Sequence, residues 1–321
     1  MKIVIISTIR NEEDIIEAFV RYHLQFADRM MVIDHRSIDS SGYILEQLRK
    51  EGLPVEIYKE TSLDLQQGQF LTKLMRIAVS KFDADWVIPL DADEFLAPSD
   101  HGHVLEILER LPRNKVAKIR WRTYLPLLSD DENEINIIRR IRNYRIHEPI
   151  SLRKIAVPRV FAEKKNVIID NGNHGLTSQV LWRKKQCVYE NADELVLAHY
   201  PVRSKDQVRI KAFVGWLACL AKPNKLPTEN YHLKMMFDRF TQGNSLSMND
   251  LSCLAFGYAT QDSTSIPRDS DVAFKPLDGS SHSLSLRYFV NKPSLDPLAL
   301  LAKLSEELAA TLAQIRRKRL R

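Results

Sequence analysis

The first third of the chain alternates between short apolar runs and longer segments whose apolar residues recur at helical spacing. Apolar runs rich in β-branched residues predict buried strands, and a repeat of three to four residues predicts helices with one buried face. The predicted strands are residues 2–7, 30–35, 54–60 and 86–95, and the predicted helices are residues 10–27, 41–52 and 69–82. Asn11 is the predicted N-cap of the first helix. This alternation predicts an α/β fold with a mostly parallel sheet flanked by helices.

Beyond residue 100 the pattern is less regular. Residues 115–127 alternate between apolar and polar positions and predict a half-exposed strand, and residues 195–222 predict a strand end that passes into a helix. Residues 296–321 carry a leucine stripe typical of a helix that packs on another surface. We therefore predict an α/β domain over residues 1–205 and a mainly helical region over residues 206–321.

The composition fits a chain with a packed core, since 44% of its 321 residues are hydrophobic. No apolar run is long enough to span a membrane, and the first residues lack the pattern of a secretory signal peptide. Its 3 cysteines are too few for a disulfide framework. We expect a cytoplasmic protein, and the net charge of +6 favours an anionic partner.

The most distinctive chemistry lies at the end of the fourth predicted strand, where Asp91, Asp93 and Glu94 follow an apolar run. In an extended segment, residues two apart point to the same side, so Asp91 and Asp93 would form a site for Mg²⁺ or Mn²⁺. The alternative is a solvated turn whose acids accept hydrogen bonds from nearby amides. A phosphatase of the haloacid-dehalogenase type also uses an Asp-x-Asp motif, but Phe95 stands where that motif has Thr or Val.

Three segments together resemble glycosyltransferase family 2, whose members have the GT-A fold. They are "VIISTIRNEEDII", "MVIDHRSIDSS" and "ADWVIPLDADEF". The later "HYPVRS" and "LRYFVNKPSLDPL" resemble a bacterial subgroup of that family. The resemblance implies a Rossmann-like GT-A domain, with a nucleotide-binding half over residues 1–95 and an acceptor half over residues 96–205.

The resemblance also implies roles for individual residues. The donor nucleotide is expected to contact the polar strand ends and one arginine, namely Thr8, Arg10, Asn11, Glu12, Asp34, Asp91 and Arg203. The divalent cation, Mn or Mg, is expected on Asp91 and Asp93. A histidine from the second half would complete this site, with His199 as the first candidate and His174 as the second.

The implied reaction is the transfer of a sugar, with inversion, from a nucleotide sugar such as a UDP-sugar to the hydroxyl of a glycan or lipid-linked acceptor. Such a transfer requires a general base. By position, Asp193 and Glu194 are the candidates, and Asp130, Asp131 and Glu132 are further ones. The residues do not identify the base among them.

Two other classes of function stay open at this point. A phosphatase or nucleotidyltransferase would also use paired acids with Mg²⁺. A nucleic-acid binder would use the basic tract of residues 139–165, for which a solvated strand face is the simpler interpretation. For the basic-ended helix of the tail we expect packing on the chain's own core, with a homodimer or peripheral contact with the inner face of a membrane as alternatives.

Overall fold

The computed structural model describes residues 1–62, 66–149, 152–178, 187–220, 231–241, 245–260, 265–277 and 284–288. Strands and helices alternate through the first half, as predicted. The strands are β1 (Ile3–Ile9), β2 (Arg29–His35), β3 (Val55–Glu60), β4 (Trp86–Pro89) and β5 (Glu94–Pro98). The helices between and after them are α1 (Ile16–His23), α2 (Ser41–Lys50), α3 (Gln67–Phe82) and α4 (Val104–Arg110).

The second half is irregular, in keeping with its less regular pattern. Its strands are β6 (Val116–Leu125), β7 (Asn143–Arg145), β8 (Arg153–Pro158), β9 (Val167–Ile169), β10 (Leu176–Ser178), β11 (Tyr189–His199) and β12 (Val272–Phe274). Its helices are α5 (Ile137–Arg140), α6 (Arg159–Ala162), α7 (Lys205–Leu220), α8 (Tyr231–Thr241) and α9 (Met248–Phe256). The predicted passage from strand to helix is confirmed, because β11 ends at His199 and α7 begins at Lys205.

In the described part of the chain, ten strands form one sheet in the order β12-β7-β6-β8-β4-β1-β2-β3, with β11 paired to β5 and β6. The strands β3, β2, β1 and β4 run parallel. Beyond β4, pairing is antiparallel except between β11 and β6. The α/β class is confirmed, with the predicted parallel pairing largely confined to the first half.

Helices cover both faces of the parallel part of the sheet. Ile3 and Ile5 of β1 lie in one apolar cluster with residues of α1 and α2. Val4 and Ile6, which point the opposite way, lie in a second cluster with residues of α3. Burial on both faces explains why β1 reads as a continuous apolar run instead of an alternating one.

The first helix begins later than predicted, at Ile16, with Ile15 as its N-cap. Asn11 is not a cap: its φ is +58°, and its side-chain oxygen accepts a hydrogen bond from the Ile38 amide at 2.8 Å. The Asn11 amide in turn donates to Ser37 Oγ at 3.0 Å. Side chains therefore hold the loop after β1 against the loop after β2, and this long-range tie replaces the local cap.

None of the described helices is long and apolar enough to cross a membrane. The predicted tail helix, with its leucine stripe and basic end, lies outside the described residues, as does most of the segment "LRYFVNKPSLDPL". The division into domains at residue 205 remains a prediction. Residues 287 and 288 do reach the first half, where their amides donate to the Glu17 carboxylate at 2.8 Å.

His23 of α1 predicts a dependence of stability on pH. Leu96 N donates to its Nε2 at 3.2 Å, so its Nδ1 donates to the Phe19 carbonyl at 2.8 Å and the ring is neutral. Burial lowers the pKa of His23 to about 3 from 6.5, with the Phe19 bond opposing. The unfolded chain therefore binds the proton more tightly, and the contribution of His23 to stability, complete above pH 6.5, is lost as pH falls toward 3.

From pH 6.5 to pH 5 this loss amounts to about 2 kcal/mol. Glu12 and Asp39, whose pKa values burial raises to about 7 and 6, oppose it in the intact protein. The measurement is therefore the difference in unfolding free energy between wild type and His23→Gln, by urea titration at both pH values. It should shift by about 2 kcal/mol in favour of the variant, whereas substitution of the exposed His101 by Gln should give no shift. Parallel pH curves for wild type and His23→Gln would contradict the prediction.

Candidate functional site

The Asp-x-Asp segment forms a turn between β4 and β5 and is not part of one extended strand. The Glu94 amide donates to the Asp91 carbonyl at 3.0 Å, which closes the turn. The rule that residues two apart share a side applies to extended backbone and fails here. The Asp91 and Asp93 side chains accordingly have different partners, which corrects the expectation of one paired-acid face.

Asp91 is fully engaged by neighbouring side chains. Its Oδ2 accepts from Lys154 Nζ at 2.7 Å. Its Oδ1 accepts from Gln67 Nε2 at 2.7 Å and from Asn173 Nδ2 at 3.3 Å. A carboxylate tied on both oxygens is poorly suited to attack phosphorus, so this geometry does not favour the phosphatase alternative.

Asp93 faces three basic side chains. Its Oδ2 lies 3.4 Å from Lys211 Nζ and 3.7 Å from Arg203 Nη1. Its Oδ1 lies 3.8 Å from His199 Nε2. The Asp93 side chain is 8% exposed, so these groups meet it away from bulk water. The expected closeness of His199 to Asp93 is confirmed, while its role stays a prediction.

The charges of this cluster follow from its burial. Burial raises the pKa of Asp93, but the cations Lys211 and Arg203 outweigh it and hold that pKa well below its usual range. Burial lowers the pKa of the Lys211 ammonium, but Asp93 outweighs it and the pKa is raised. Burial lowers the pKa of His199 to about 3, although Asp93 opposes this shift. At neutral pH, Asp93 and Lys211 are therefore ionised and His199 is a neutral imidazole.

Glu94 occupies the floor of the site. Its Oε1 accepts from Trp121 Nε1 at 2.8 Å and lies 3.1 Å from Lys154 Nζ, and its Oε2 accepts from the Asp91 amide at 3.0 Å. Burial raises the pKa of Glu94, and Lys154 opposes this rise. Lys154 thus bridges Asp91 and Glu94 with a side chain that is only 2% exposed.

An aromatic wall closes the site on one side. Trp121 stacks on His199 with ring centroids 4.5 Å apart, and Tyr258 meets His199 edge-on at 5.0 Å. Tyr258 follows α9, and Arg145 Nη1 holds the carbonyls of Phe256 and Tyr258 at 2.7 and 2.9 Å. The region beyond residue 205 therefore contributes a residue to the site.

Arg203 joins the "HYPVRS" segment to the loop after β1. Its Nε and Nη2 contact the Asp14 carboxylate at 2.7 and 2.9 Å, and Nη2 contacts Glu12 at 2.6 Å. Its side chain is 1% exposed. Glu12, predicted to contact the nucleotide, is thus bound to Arg203. Its carboxyl pKa is raised to about 7 by burial, against the effect of Arg203.

Thr8 and Asp34 lie at the carboxyl ends of neighbouring strands, where Ile9 pairs with Asp34. One oxygen of Asp34 accepts from the Ser37 amide at 2.9 Å. Arg10 and Asn11 follow in the loop after β1. The four predicted residues therefore stay close along the chain and the sheet edge, as the parallel topology requires.

Residues 171–174 bring a loop to Asp91 that the sequence indicated only through His174. Asn173, at φ +60°, supplies the contact to Asp91. His174 Nδ1 contacts the Arg153 carbonyl at 2.9 Å, and its ring lies edge-on to Trp121 at 5.8 Å. Burial lowers the pKa of His174. Gln67, at the start of α3, and Asn173 were missed because a single amide side chain carries no periodic signal.

Asp193 and Glu194, predicted as candidate bases, are not brought to the site. Asp193 pairs with Arg153 at 2.9 Å and Glu194 with Arg110 at 2.6 Å, and their side chains are 63% and 66% exposed. They precede His199 by five to six residues on β11, which corresponds to about 16–20 Å along a strand. Of the further candidates, Asp130 Oδ2 accepts from the Leu127 amide at 2.9 Å.

A cavity of about 410 Å³ lies beside the Arg203 network. Its carboxylates come from the loop after β1, the loop before α5 and the start of α7, namely Glu13, Asp14, Asp39, Glu132 and Asp206. Arg140 is the basic residue of the lining. Carboxylate oxygens accept hydrogen bonds from hydroxyl groups, so this lining suits a polyhydroxylated molecule.

Several buried polar atoms near these strand ends have no hydrogen-bond partner among the residues that the structure describes. They include Thr8 Oγ1, Asn173 Oδ1 and His199 Nδ1. Buried polar atoms are nearly always paired in folded proteins, so an unpaired group requires an explanation. Their position beside the Asp-x-Asp turn indicates a binding site for a polar ligand.

The described side chains do not fit the predicted divalent cation. Among the described residues, no group of three or more His, Cys, Asp or Glu side chains is arranged to hold a metal ion. An ion on Asp93 would lie about 5 Å from the Lys211 ammonium, with a repulsion of roughly 7 kcal/mol at an effective dielectric constant of about 20. The metal-ligand roles predicted for Asp91, Asp93, His199 and His174 are therefore not supported while Lys211 stays at Asp93.

The basic tract of residues 139–165 does not form one solvated face. Arg145 and Lys154 are 2% and 1% exposed, and both make internal ion pairs. This corrects the interpretation of the tract as a solvated strand face. It also removes two of the charges on which a nucleic-acid binder would depend.

Comparison with known families gives one match, to the model described as glycosyl transferase family 2, over residues 4–156. The matched segment, just under half of the chain, includes the Asp-x-Asp turn and Lys154. It ends before His199, Arg203 and Lys211. No curated protein matches the chain.

Similar solved structures include the mannosyltransferase PcManGT from Pyrobaculum calidifontis in complex with GDP-Man and Mn²⁺, at 18% identity and a TM-score of 0.29, over 37% of this chain and 35% of that one. Another is glucosyl-3-phosphoglycerate synthase from Mycobacterium tuberculosis in complex with Mn²⁺, UDP and glucosyl-3-phosphoglycerate. The sequence identity is 18% and the TM-score 0.28, over 38% of this chain and 44% of that one. A third is HddC from Yersinia pseudotuberculosis, at 11% sequence identity and a TM-score of 0.33, over 60% of this chain and 89% of that one. The chain thus spans less than half of the first two structures. At these scores, what those proteins bind does not carry over to this chain.

Proposed function

We propose that the protein transfers a sugar from a nucleotide-sugar donor to an acceptor hydroxyl, in the assembly of a glycan or polysaccharide. The family match makes the chain an enzyme of the glycosyltransferase type. The donor, the acceptor and the use of a cation belong to the proposal. From the sequence resemblance, a UDP-sugar is the first candidate for the donor.

The observation that carries this proposal is the arrangement of the matched domain around the Asp-x-Asp turn. Ligands of open α/β sheets bind outside the carboxyl ends of the strands. At that edge, Thr8 and Asp34 lie near the ends of β1 and β2, and Asp91 and Asp93 follow β4. The cations Lys211 and Arg203 meet them there, and they suit the two negative charges of a diphosphate.

We place the nucleoside near Thr8 and Asp34, with Arg10 and Asn11 beside it, and the diphosphate at Lys211, Arg203 and His199. The Asp34 carboxylate, one oxygen of which accepts from the Ser37 amide, suits the N–H of a base. The Mn or Mg predicted from the sequence is not part of this proposal, because the described residues do not fit it.

The general base for the acceptor hydroxyl is proposed to come from the carboxylates that line the cavity. Asp39 is one of these, and burial raises its carboxyl pKa to about 6, close to the range that suits a base at neutral pH. Its oxygens also accept from the Glu13 and Ser41 amides at 3.1 and 2.9 Å, so proton transfer would use a remaining lone pair. Asp14, which also lines the cavity, is bound to Arg203, and Arg203 Nη1 lies 3.7 Å from Asp93 Oδ2. The cavity thus adjoins the proposed diphosphate site.

For Asp193 and Glu194, the base candidates from the sequence, we predict that substitution has little effect on stability or on sugar transfer. Asp193→Asn and Glu194→Gln should leave stability within about 1 kcal/mol and transfer within about twofold, because exposed ion pairs contribute little. Urea unfolding and nucleotide release would measure both quantities. A loss of transfer above tenfold in either variant, with the fold intact, would return that residue to the reaction.

A cytoplasmic location, a lipid-linked acceptor and a homodimer or membrane contact through the tail helix remain predictions. The tail helix lies outside the described residues. These predictions therefore rest on the sequence alone and are separable from the proposed reaction.

The test of the proposed function is nucleotide recognition followed by turnover. A nucleoside diphosphate at 100 times its Kd stabilises a protein by about 2.7 kcal/mol, which raises the Tm of a chain of 321 residues by roughly 4 °C. We expect such a shift with UDP or GDP and none with inorganic phosphate at the same concentration. A panel of nucleotide sugars, followed by release of free nucleotide, then identifies the donor. No Tm shift with any nucleoside diphosphate and no release from any sugar nucleotide would refute the proposal.

A further inference from the structure

We propose that Lys211 supplies the positive charge at Asp93 that the sequence assigned to a divalent cation, and that it binds the donor diphosphate directly. Donor binding then requires no added metal. This inference rests on the proposed function and specifies how its site neutralises the diphosphate.

The position of Lys211 is the first argument. Its ammonium lies 3.4 Å from Asp93 Oδ2, on the carboxylate that the sequence singled out as the cation ligand. Arg203 Nη1 lies 3.7 Å from the same oxygen. The last acid of the Asp-x-Asp turn therefore already has two cations beside it, both from the part of the chain that follows the matched domain.

The accessibility of Lys211 is the second argument. Its side chain is 39% exposed, whereas the side chains of Arg203 and Lys154 are 1% and 2% exposed. Arg203 is held by Asp14 and Glu12 at 2.6–2.9 Å, and Lys154 by Asp91 at 2.7 Å. Lys211 has a longer contact and a flexible stem, so of these three cations it is the one able to turn toward an incoming anion.

The setting of Asp93 is the third argument. Asp91, the other acid of the turn, is bound on both oxygens by Lys154, Gln67 and Asn173. A cation at Asp93 would therefore not have Asp91 as a second carboxylate ligand. Asp93 is left to orient Lys211, and the Lys211 side chain, 39% exposed, places that pair at the edge of the solvent.

The chemistry of transfer gives Lys211 its use. A bond forms between the acceptor oxygen and the anomeric carbon, and the bond from that carbon to the diphosphate oxygen breaks. The electron pair of the broken bond stays on the diphosphate, and the acceptor proton passes to a carboxylate base. The added negative charge develops on the leaving diphosphate, where a fixed ammonium stabilises it as a metal ion otherwise would.

Calorimetric titration with UDP and with GDP tests the inference, in EDTA and in Mn²⁺, on wild type, Lys211→Met and Arg209→Met. Arg209 lies two residues away on α7 and pairs with Asp206 on an exposed face, so its variant is the matched control. Wild type and control should bind one of the nucleotides in EDTA within about threefold of the affinity in Mn²⁺. Lys211→Met should lose at least tenfold in EDTA, and Mn²⁺ should restore part of the loss because Asp93 is freed.

Asp93→Asn separates the two mechanisms further. If Lys211 binds the diphosphate, this variant keeps or gains affinity in EDTA, because a like charge beside the anion is removed. If a metal on Asp93 binds it, affinity in Mn²⁺ falls. Circular dichroism confirms the fold of each variant before titration.

Two results would contradict the proposals made here for Lys211 and for the function of the protein. Binding to wild type that appears only with Mn²⁺, and that Lys211→Met leaves unchanged, overturns the inference and leaves the proposed function standing. Absence of binding with UDP, GDP and sugar nucleotides, with and without metal, overturns the proposed function itself.

Discussion

Replacement of Arg203 by Leu is expected to lower the free energy of unfolding by about 3–5 kcal/mol, because removal of one partner of a buried ion pair leaves charge without compensation. The guanidinium holds Asp14 with two contacts and Glu12 with one, and its Nη1 donates to the Tyr200 carbonyl at 3.2 Å. Leucine supplies none of these bonds. Urea unfolding at pH 7 measures the loss.

Two further variants serve as controls for the Arg203→Leu prediction. Arg209→Leu removes an arginine from an exposed pair with Asp206 and should cost less than about 1 kcal/mol. If Arg203→Leu does not fold, the triple variant with Glu12→Gln and Asp14→Asn should fold, since its carboxylates are neutral. A loss below about 1 kcal/mol for Arg203→Leu would show that the network does not hold the two halves together.

Lys154→Met is expected to give a loss of similar size, about 3–5 kcal/mol. Lys154 lies between Asp91 and Glu94, and Glu94 is completely buried. Methionine has a similar length and fills the space, so the loss reports charge and not a cavity. The loss should be greatest above pH 8 and shrink as pH falls toward neutral, because burial raises the pKa of Glu94 to about 8 even beside Lys154, and the carboxyl takes up a proton more readily when Lys154 is absent.

The double variant Lys154→Met with Glu94→Gln should regain at least about 1 kcal/mol relative to Lys154→Met alone, as expected for groups in one network. Lys115→Met, which removes an exposed pair with Glu190, is the matched control and should stay within about 1 kcal/mol of wild type. Equal losses for the Lys154 and Lys115 variants would contradict the assignment of Lys154 as the compensating charge.

The sequence predicted the parts of the fold that depend on local pattern. The strands β1 to β3 and the helices α2 and α3 appear within a few residues of their expected positions, because apolar period and burial agree there. The strand predicted over residues 86–95 is divided into β4 and β5 by the Asp-x-Asp turn. The α1 start was wrong, since Asn11 bonds to Ile38 across the sheet edge and not to its own helix. No single-segment pattern contains that contact.

The sequence predicted the site residues that lie at the ends of strands. It did not predict those that reach the site through pairing of strands far apart in the chain. Asp93 and His199 stand at strand ends and were expected together. Lys154 lies in a basic tract that looked solvated, and antiparallel pairing of β8 beside β4 brings it to Asp91. Lys211, on the first turns of α7, carried no motif at all.

The Arg203 contacts also determine when the site forms during synthesis. Arg203 and Asp14 are separated by 189 residues, and Arg203 and Glu12 by 191. A nascent chain that has emerged only as far as residue 156 therefore carries Glu12, Asp14 and Asp93 without Arg203 or Lys211, and like charges repel at the sheet edge. Pairings of this separation close slowly. The site at the sheet edge should consequently be completed only after the segment that carries Arg203 and Lys211 has left the ribosome.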